Sequence, residues 1–337
     1  MKVIHCPVEI AGQMGILSRG LQEHGITSVA YNTFHSYLDY RDGLRNIAED
    51  ELETILNDAL AEYDLFHFHY ARTFRRDYSD LERIRALGKP VLMHHWGNDV
   101  RTEAAARRLN PYAYAGDSPP PDVVHARLAV LSRYIDHALV QDYEVYPYVS
   151  EYYKQVHVLP IAYDVRAVTP QFPDLESSEP LVVHAPTNPL FKGTAFVEEA
   201  VDRLRREGFR FRYVRIEKTS NRRAVQLYRE ADLVVDQILC GSYGMLAVEA
   251  MSLGKPVVGF VRDDLASTFP APPPIISCNP DTLYDRMKEL LKHPEKRLEA
   301  GRKGRRYVEN YHDVRAVAGQ LAELYRRVAA DRSGGLR

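Results

Sequence analysis

The residues best placed to do chemistry lie in a glycine-flanked loop and on the apolar helix predicted after it, which carries one carboxylate. The loop runs from Gly241 to Gly244, and Glu249 follows in a segment that ends in Gly-Lys-Pro-Val-Val258. Backbone N–H groups at a helix N-terminus suit a phosphate. Glu249 lies about one and a half turns inside the helix, where it can reach a pair of hydroxyls. The combination predicts a nucleotide-sugar site.

The elements that must position these residues alternate along the whole chain. Short apolar runs, typical of buried strands, alternate with helical patterns, such as the one that predicts a helix over Asn46–Glu62. This alternation indicates parallel sheets covered by helices. The halves open alike, with Val-Ile-His5 and Val-Val-His184 each leading through a loop to a helix, a glycine and a new strand. Ligands of such folds bind outside the carboxyl ends of the strands. We therefore expect His5 and His184 to line a cleft between two facing domains.

The predicted fold is α/β, with two Rossmann-like doubly wound domains. The N-terminal domain is placed at residues 1–165 and the C-terminal domain at residues 166–311, because a proline-rich polar stretch joins them. Residues 312–330 are predicted to form one long helix. Its apolar stripe consists of Val314, Val317, Ala318, Leu321 and Leu324.

Length and composition describe an ordinary soluble protein. The 337 residues are enough for two domains of about 150 residues each. The net charge of −2 gives no general attraction to nucleic acid, and we expect no nucleic-acid partner. The three cysteines form no Cys-x-x-Cys pair, so neither a zinc site nor a disulfide framework is indicated. No apolar run approaches the roughly 20 residues of a membrane span, and we expect a cytoplasmic protein.

The chain resembles the retaining glycosyltransferases of family 4, which have two Rossmann-like domains facing each other (the GT-B fold). Glu249-Ala-Met-Ser-Leu-Gly-Lys-Pro-Val-Val258 is similar to the second half of that family's two-glutamate motif, and Lys192-Gly193 is similar to its phosphate-binding Lys-Gly. The resemblance implies that the helix over 312–330 crosses back to the N-terminal domain. With the loop and Glu249 argued above and Asp236 from a departure described below, the predicted donor-binding residues are Gly12, Gln13, Lys192, Gly193, Ile216, Asp236, Gly241, Ser242, Tyr243, Gly244, Met245 and Glu249.

Two departures from the family pattern make this chain a divergent relative. Gly241 stands where the family has the first glutamate of the motif, and Pro186 and Thr187 stand where it has a phosphate-binding arginine. Asp236 is a candidate substitute for the missing carboxylate. For Glu249 the alternative to ribose binding is a structural hydrogen bond to the backbone or to Lys255.

A strand in the first half delivers polar residues to the predicted cleft. It ends in His94-His-Trp-Gly-Asn-Asp-Val-Arg101, which resembles the family's His-Gly-Ser-Asp variants. We predict His94, His95 and Asp99 as catalytic residues, although Asp99 could instead cap a helix. Strand alternation puts His94 and His95 on opposite faces, so at most one of them faces the cleft. His67 and His69 are predicted to be hydrogen-bonded histidines of a half-buried strand, and we predict no metal site.

The resemblance implies a metal-independent, retaining glycosyltransferase that needs no cofactor. It would move a sugar from a nucleotide-diphosphate sugar to a glycan, lipid-linked or small-molecule acceptor, in cell-envelope polysaccharide synthesis. The alternatives are a catalytically degenerate subunit that binds a nucleotide or glycan, and a nucleotide-sugar epimerase or glycoside phosphorylase on the same fold. Arg72, Arg75, Arg76 and the basic run at 302–306 could meet a membrane surface or an anionic acceptor, or form solvated helix faces.

Overall fold

The computed structural model describes residues 1–334, which form two compact units. The first unit comprises Met1–Thr102, Asp117–Ala162 and the chain from Val314 onward, and the second comprises Glu103–Gly116 and Tyr163–Asp313. The chain passes from the first unit to the second at residues 162–163 and returns at residues 313–314. One segment differs from the division expected from the sequence, because residues 103–116 leave the first unit and pack in the second.

A parallel sheet is the centre of the first unit. Its strands are β1 (Lys2–Cys6), β2 (Thr27–Asn32), β3 (Leu44–Asn46), β4 (Leu65–His69), β5 (Val91–His95), β6 (His137–Val140) and β7 (Gln155–Val158). The order across the sheet is β3-β2-β1-β4-β5-β6-β7, so the direction of winding reverses between β1 and β4. Ligands of doubly wound sheets bind beside such a switch point. In register, His5 lies beside His67, and His69 lies beside His94.

The last helix of the chain packs on the first helix within this unit. The helices, numbered along the chain, are α1 (Gln13–Glu23), α2 (Leu52–Glu62), α3 (Ser79–Ala86), α5 (Pro121–Tyr134) and α13 (Val314–Gly334). A Cβ added at Gly20 would lie 2.8 Å from the Cβ of Ala318, so the close approach of α1 and α13 requires glycine. The apolar stripe from Val314 to Leu324 is buried, as predicted.

A second parallel sheet organises the second unit. Its strands are β8 (Leu181–His184), β9 (Arg212–Arg215), β10 (Leu233–Val235), β11 (Val257–Gly259) and β12 (Ile276–Ser277). The order is β12-β11-β10-β8-β9, so the switch point lies between β8 and β10. The helices are α4 (Glu103–Leu109), α6 (Pro189–Lys192), α7 (Thr194–Arg206), α8 (Asn221–Glu230), α9 (Met245–Ser252), α10 (Asp263–Ala266), α11 (Leu283–Lys292) and α12 (Pro294–Tyr311).

Side-chain contacts explain why residues 103–116 belong to the second unit. The Nδ2 atom of Asn110 donates to the carbonyl of Leu239 at 2.7 Å, inside the protein. The ring of Tyr112 meets that of Phe260 edge to face. A polar and an aromatic anchor therefore hold this excursion of the chain, and neither is visible as a break in the sequence pattern.

The prediction of a helix over Asn46–Glu62 is wrong in its first turns. Residues 44–46 form the edge strand β3, which pairs with β2, and α2 begins only at Leu52 after a 3₁₀ turn. Leu44 is the one apolar residue of this three-residue strand, so no alternation could reveal it. Within residues 1–334, none of the helices combines the length and the apolar character that crossing a membrane would require.

Candidate functional site

Two loops at the switch point of the second unit carry its candidate donor-binding residues. One loop joins β8 to α6, and the other joins β10 to α9. Asn188 caps α6 by accepting from two N–H groups of its first turn, and Pro189 fills the first helical position. The helix ends after one turn at Gly193, which has φ +76°, and a Cβ there would lie 2.6 Å from Cγ1 of Ile238. This short helix sets Lys192 beside the loop that follows β10.

Lys192 belongs to a buried polar cluster at the N-terminus of α9. Its Nζ atom donates to Oδ1 of Asp236 at 2.8 Å and to Oε1 of Gln237 at 2.7 Å. The other carboxylate oxygen of Asp236 accepts from the N–H of Gly244 at 3.1 Å, and Gln237 donates to the carbonyl of Ser242. The fold therefore brings together a lysine from one loop with a carboxylate and a helix N-terminus from another.

The loop before α9 is shaped by a glycine and an aromatic anchor. Gly241 has φ +88°, and a Cβ there would lie 2.5 Å from Cδ of Arg262. The Arg262 side chain thus covers the position at which the family 4 motif has its first glutamate. The hydroxyl of Tyr243 hydrogen-bonds to Nε2 of His312 at 3.0 Å, so this side chain anchors the loop within the second unit.

Glu249 is buried in α9, and Asn221 is its hydrogen-bonding partner among residues 1–334. The Nδ2 atom of Asn221 donates to its Oε1 atom at 2.6 Å. This partner is neither the backbone nor Lys255, which were the alternatives expected from the sequence. The pKa of Glu249 is raised to about 7, first by burial and also by the charge of Asp236, while the Asn221 hydrogen bond and Lys192 oppose the shift. Glu249 therefore shares an electrostatic environment with the Lys192 cluster.

Three other residues at the strand ends of the second unit have structural contacts. Met245 is the first residue of α9 and is half-buried. Ile216 follows β9, is buried, and donates its N–H to the carbonyl of His184 at 2.9 Å. The ring of His184 contacts the carbonyl of Val235 and the hydroxyl of Thr194, both at 2.9 Å. Both ring nitrogens of His184 are thus occupied within the fold.

Side chains of the chain itself hydrogen-bond around the loop between β1 and α1, the first loop of the first unit. Gly12 has φ +80° and is the N-cap residue of α1. The side-chain amide of Gln13 donates to the carbonyl of Ala162 at 3.0 Å and accepts from its N–H at 2.8 Å. The buried carboxyl group of Glu9 accepts from the N–H of Gly15 at 3.3 Å, and burial raises its pKa to about 8. The N-terminus of α1 therefore already faces an acidic group of the chain.

His95 and Asp99 form a buried pair at the end of β5. The Nδ1 atom of His95 contacts Oδ2 of Asp99 at 2.7 Å, and its Nε2 atom contacts the hydroxyl of Tyr153 at 2.9 Å. Oδ1 of Asp99 accepts from the N–H groups of Trp96 and Gly97, both at 3.0 Å. Asp99 thus fixes the turn after the strand, and both nitrogens of His95 are used.

His94 has hydrogen-bonding capacity that the described residues leave unused. It is fully buried, and neither of its ring nitrogens has a hydrogen-bond partner within residues 1–334. Its ring stacks on the partly exposed indole of Trp96, with 4.0 Å between the ring centroids. Burial lowers the pKa of His94 well below its ordinary value of 6.5, so the ring is neutral. Of the two adjacent histidines, His94 is the better candidate for contact with a substrate.

A directed chain of hydrogen bonds continues from Trp96 into the core. The indole donates to Nδ1 of His69 at 3.3 Å, and Nε2 of His69 faces Nδ1 of His5 at 3.0 Å. The hydroxyl of Tyr325 contacts Nε2 of His5 at 3.2 Å and Nδ1 of His67 at 2.5 Å. Because an indole can only donate, it determines the tautomer of each histidine along the chain.

The same three strand histidines could hold a metal ion by distance alone. One potential ligand atom from each of His5, His67 and His69 lies within 4.8 Å of the others. Metal binding through Nε2 of His69 would put a proton on Nδ1, opposite the N–H of Trp96, so the hydrogen-bonded arrangement opposes it. The prediction of hydrogen-bonded histidines is confirmed, but the strand is fully buried and not half-buried.

Several polar residues of these sites were missed by sequence reasoning. Asn221 lies 28 residues before Glu249, and Tyr325 lies 258 residues after His67. Neither residue belongs to a motif, so contact in the fold is what identifies it. Glu9 carried a weak signal, because it is the acidic residue of the loop between β1 and α1.

One family model matches part of the chain, over most of the second unit and the start of the last helix. Residues 193–323 match a family model described as glycosyl transferase-like. The match begins directly after Lys192 and includes the Gly241–Gly244 loop and Glu249. No curated protein matches the sequence.

Solved structures with the same fold cover nearly the whole chain. HepE from Anabaena, in complex with UDP, aligns with a TM-score of 0.64 at 12% identity, over 96% of this chain and 99% of that one. A glycosyltransferase from Rickettsia africae aligns with a TM-score of 0.66 at 12% identity, over 97% and 98%. Sucrose-phosphate synthase from Thermosynechococcus elongatus gives 0.63 at 16% identity, over 98% and 100%. The fold is therefore GT-B, as predicted.

Proposed function

We propose that this chain, a glycosyl transferase-like protein of the GT-B fold, transfers a sugar from a nucleotide-diphosphate sugar with retention of anomeric configuration. The observation that carries the proposal is the convergence, in the second unit, of Lys192, the N-terminus of α9 and buried Glu249 at the switch point of the sheet. A cation and a helix N-terminus suit a diphosphate, and a buried carboxylate suits a pair of ribose hydroxyls.

A uridine nucleotide is the donor we favour. HepE, which has the same fold, has been solved with UDP, with UDP and glucose, and with UDP-glucose. In the proposed complex the diphosphate lies against Lys192 and the N–H groups of the Gly241–Gly244 loop. Glu249, released from its hydrogen bond with Asn221, accepts from the ribose hydroxyls. The resemblance to family 4 also assigns Gly12, Gln13 and Ile216 to the donor, and those roles stay predictions.

The proposed reaction breaks the bond between the sugar C1 and the phosphate oxygen, and forms a bond from the acceptor oxygen to C1 on the same face. The acceptor proton passes to the leaving phosphate oxygen. Lys192 and the N–H groups of the loop stabilise the negative charge that develops on the diphosphate. These groups of the chain supply the electrostatic role that a divalent metal has elsewhere. We therefore propose that transfer does not require an added metal ion.

The first unit is the proposed place of the acceptor. His94, neutral and without a partner among the described residues, can exchange a hydrogen bond with a sugar hydroxyl. His95 and Asp99, by contrast, are committed to each other and to the turn after β5, so we assign them to positioning. The acceptor as a glycan, a lipid-linked glycan or a small molecule, and a cytoplasmic location at or near a membrane, stay predictions.

The test is product analysis with the purified protein. UDP-, GDP- and ADP-sugars are incubated with and without a panel of glycan and lipid acceptors, in the presence of a chelator, and the anomeric configuration of each product is read by proton NMR. We expect one nucleotide class to support transfer with retention, and Glu249→Ala to weaken binding of that nucleotide at least several-fold. The control is Glu199→Ala, which removes an exposed carboxylate of α7 in the same unit.

The outcome also separates the alternative functions. Donor consumption by the protein alone would exclude a degenerate binding subunit. A changed sugar configuration in donor incubated without acceptor would identify an epimerase instead. If UDP, GDP and ADP all fail to bind in calorimetry, the proposal is contradicted.

A further inference from the structure

Asp236 accepts hydrogen bonds from the same groups that would bind the phosphate of a donor, the ammonium group of Lys192 and the N–H of Gly244. Its two oxygens accept from Nζ of Lys192 at 2.8 Å and from the N–H of Gly244 at 3.1 Å. A carboxylate held by an ammonium group and by a helix N-terminal N–H is bound in the same way as a phosphate oxygen. The chain therefore satisfies its own candidate phosphate site with an internal anion.

The local charge balance follows from this contact. Asp236 is 1% exposed and Lys192 is 8% exposed, so water screens their interaction poorly. The single positive charge of Lys192 is neutralised before any donor arrives. A diphosphate that entered with Asp236 still in place would meet a carboxylate within a few ångströms of its oxygens, and like charges that close oppose binding.

The chain has a carboxylate at Asp236 and lacks the one that the family 4 motif has at the position of Gly241. Gly241 stands at the motif position of a glutamate, and the side chain of Arg262 covers it, so no acidic side chain fits there without movement. Asp236, five residues earlier, is instead the acidic group that reaches Lys192. Because Asp236 accepts from the N–H of Gly244, it is also linked to the N-terminus of α9, the helix that carries Glu249.

We propose that Asp236 is an internal competitor of the donor diphosphate: it holds Lys192 and the N-terminus of α9 in the absence of donor, and gives them up when the donor binds. The inference rests on the proposed donor site and adds a residue that limits its affinity. A residue that positioned Lys192 for the phosphate, or that bound the donor sugar, would have the opposite effect on affinity when its charge is removed.

The experiment measures binding of UDP, GDP, ADP and inorganic pyrophosphate by calorimetry to the wild-type protein and to Asp236→Asn and Asp236→Ser. Removal of an opposing charge a few ångströms from the phosphates is expected to tighten diphosphate binding by about tenfold. The nucleoside of the nucleotide that binds is the internal control, because it lacks phosphate and its affinity should not change. Asp232→Asn is the matched variant, since it removes a buried carboxylate at the opposite end of β10.

Each result decides between distinct accounts. Tighter binding of diphosphates, but not of the nucleoside, to the Asp236 variants supports the competitor role. Weaker or unchanged binding by a folded variant overturns it while leaving the donor site intact. Failure of both variants to fold would assign it to the fold. If none of the four ligands binds to the wild type or to a folded variant, the proposed function fails with the inference.

Discussion

The pH dependence of stability around α9 should change when Glu249 is replaced by glutamine. Glutamine keeps the shape of the side chain, and its oxygen can still accept from Nδ2 of Asn221. It removes only the ability to ionise. Because the glutamate is buried and its folded pKa is about 7, compared with 4.5 for an unperturbed group, the carboxyl group favours the protonated form in the fold.

The sign and size of the effect follow from linkage. Below pH 4.5 the carboxyl group is protonated in both the folded and the unfolded chain, and its pKa shift costs no stability. Between pH 4.5 and 7 the unfolded chain releases the proton while the folded chain keeps it, so folding stability falls as the pH rises. Above pH 7 the loss is complete. A pKa raised from 4.5 to about 7 corresponds to about 3 kcal/mol.

Hydrogen exchange of the α9 amides is the appropriate assay, because it reports the opening free energy of that region and not of the whole two-unit chain. Wild type and Glu249→Gln are compared at each pH from 4.5 to 8, so the intrinsic pH dependence of exchange cancels. We expect the variant to gain about 3 kcal/mol relative to wild type across this range. Glu199→Gln, an exposed site on α7, should show no such trend. A difference that stays flat with pH would refute the burial of an ionisable Glu249.

Two further substitutions test the packing around each candidate site. Gly241→Ala should destabilise more than Gly208→Ala in thermal unfolding, by about 1–3 kcal/mol, because both glycines have positive φ but only the first would press against Arg262. Equal losses would show that backbone strain alone matters. Tyr325→Phe should cost about 1–3 kcal/mol in urea unfolding, since buried histidine nitrogens lose their partner. The emission of Trp96, the one tryptophan of the chain, should shift with it; an unchanged stability and spectrum would contradict the hydrogen-bond chain.

The architecture could be predicted from the sequence because its signals are local. Alternating apolar runs mark the parallel strands, and the buried stripe from Val314 to Leu324 has helical spacing. The edge strand β3 was missed because three residues with one apolar side chain carry no period. The excursion of residues 103–116 was missed because long-range contacts, such as that of Asn110 with Leu239, determine it.

The candidate site could be predicted in its residue types but not in its pairings. Glu249 was identified as a carboxylate on an apolar helix, yet its partner Asn221 lies on another helix. Lys192 and Asp236 were both singled out, but sequence distance concealed that they neutralise each other across 44 positions. Strand alternation left His94 and His95 equivalent. The hydrogen bonds of His95 to Asp99 and Tyr153 distinguish them, and Tyr153 lies 58 residues further along the chain, where no local pattern points to it.

The central claim is that a nucleotide diphosphate binds the second unit on Lys192, the loop before α9 and Glu249. A crystal structure of the protein soaked with the nucleotide that binds most tightly in calorimetry tests this most directly. We expect a phosphate oxygen within hydrogen-bond distance of Nζ of Lys192 and of a loop N–H, and ribose hydroxyls on the carboxylate of Glu249. A nucleotide bound elsewhere, with Glu249 still held by Asn221, would contradict it.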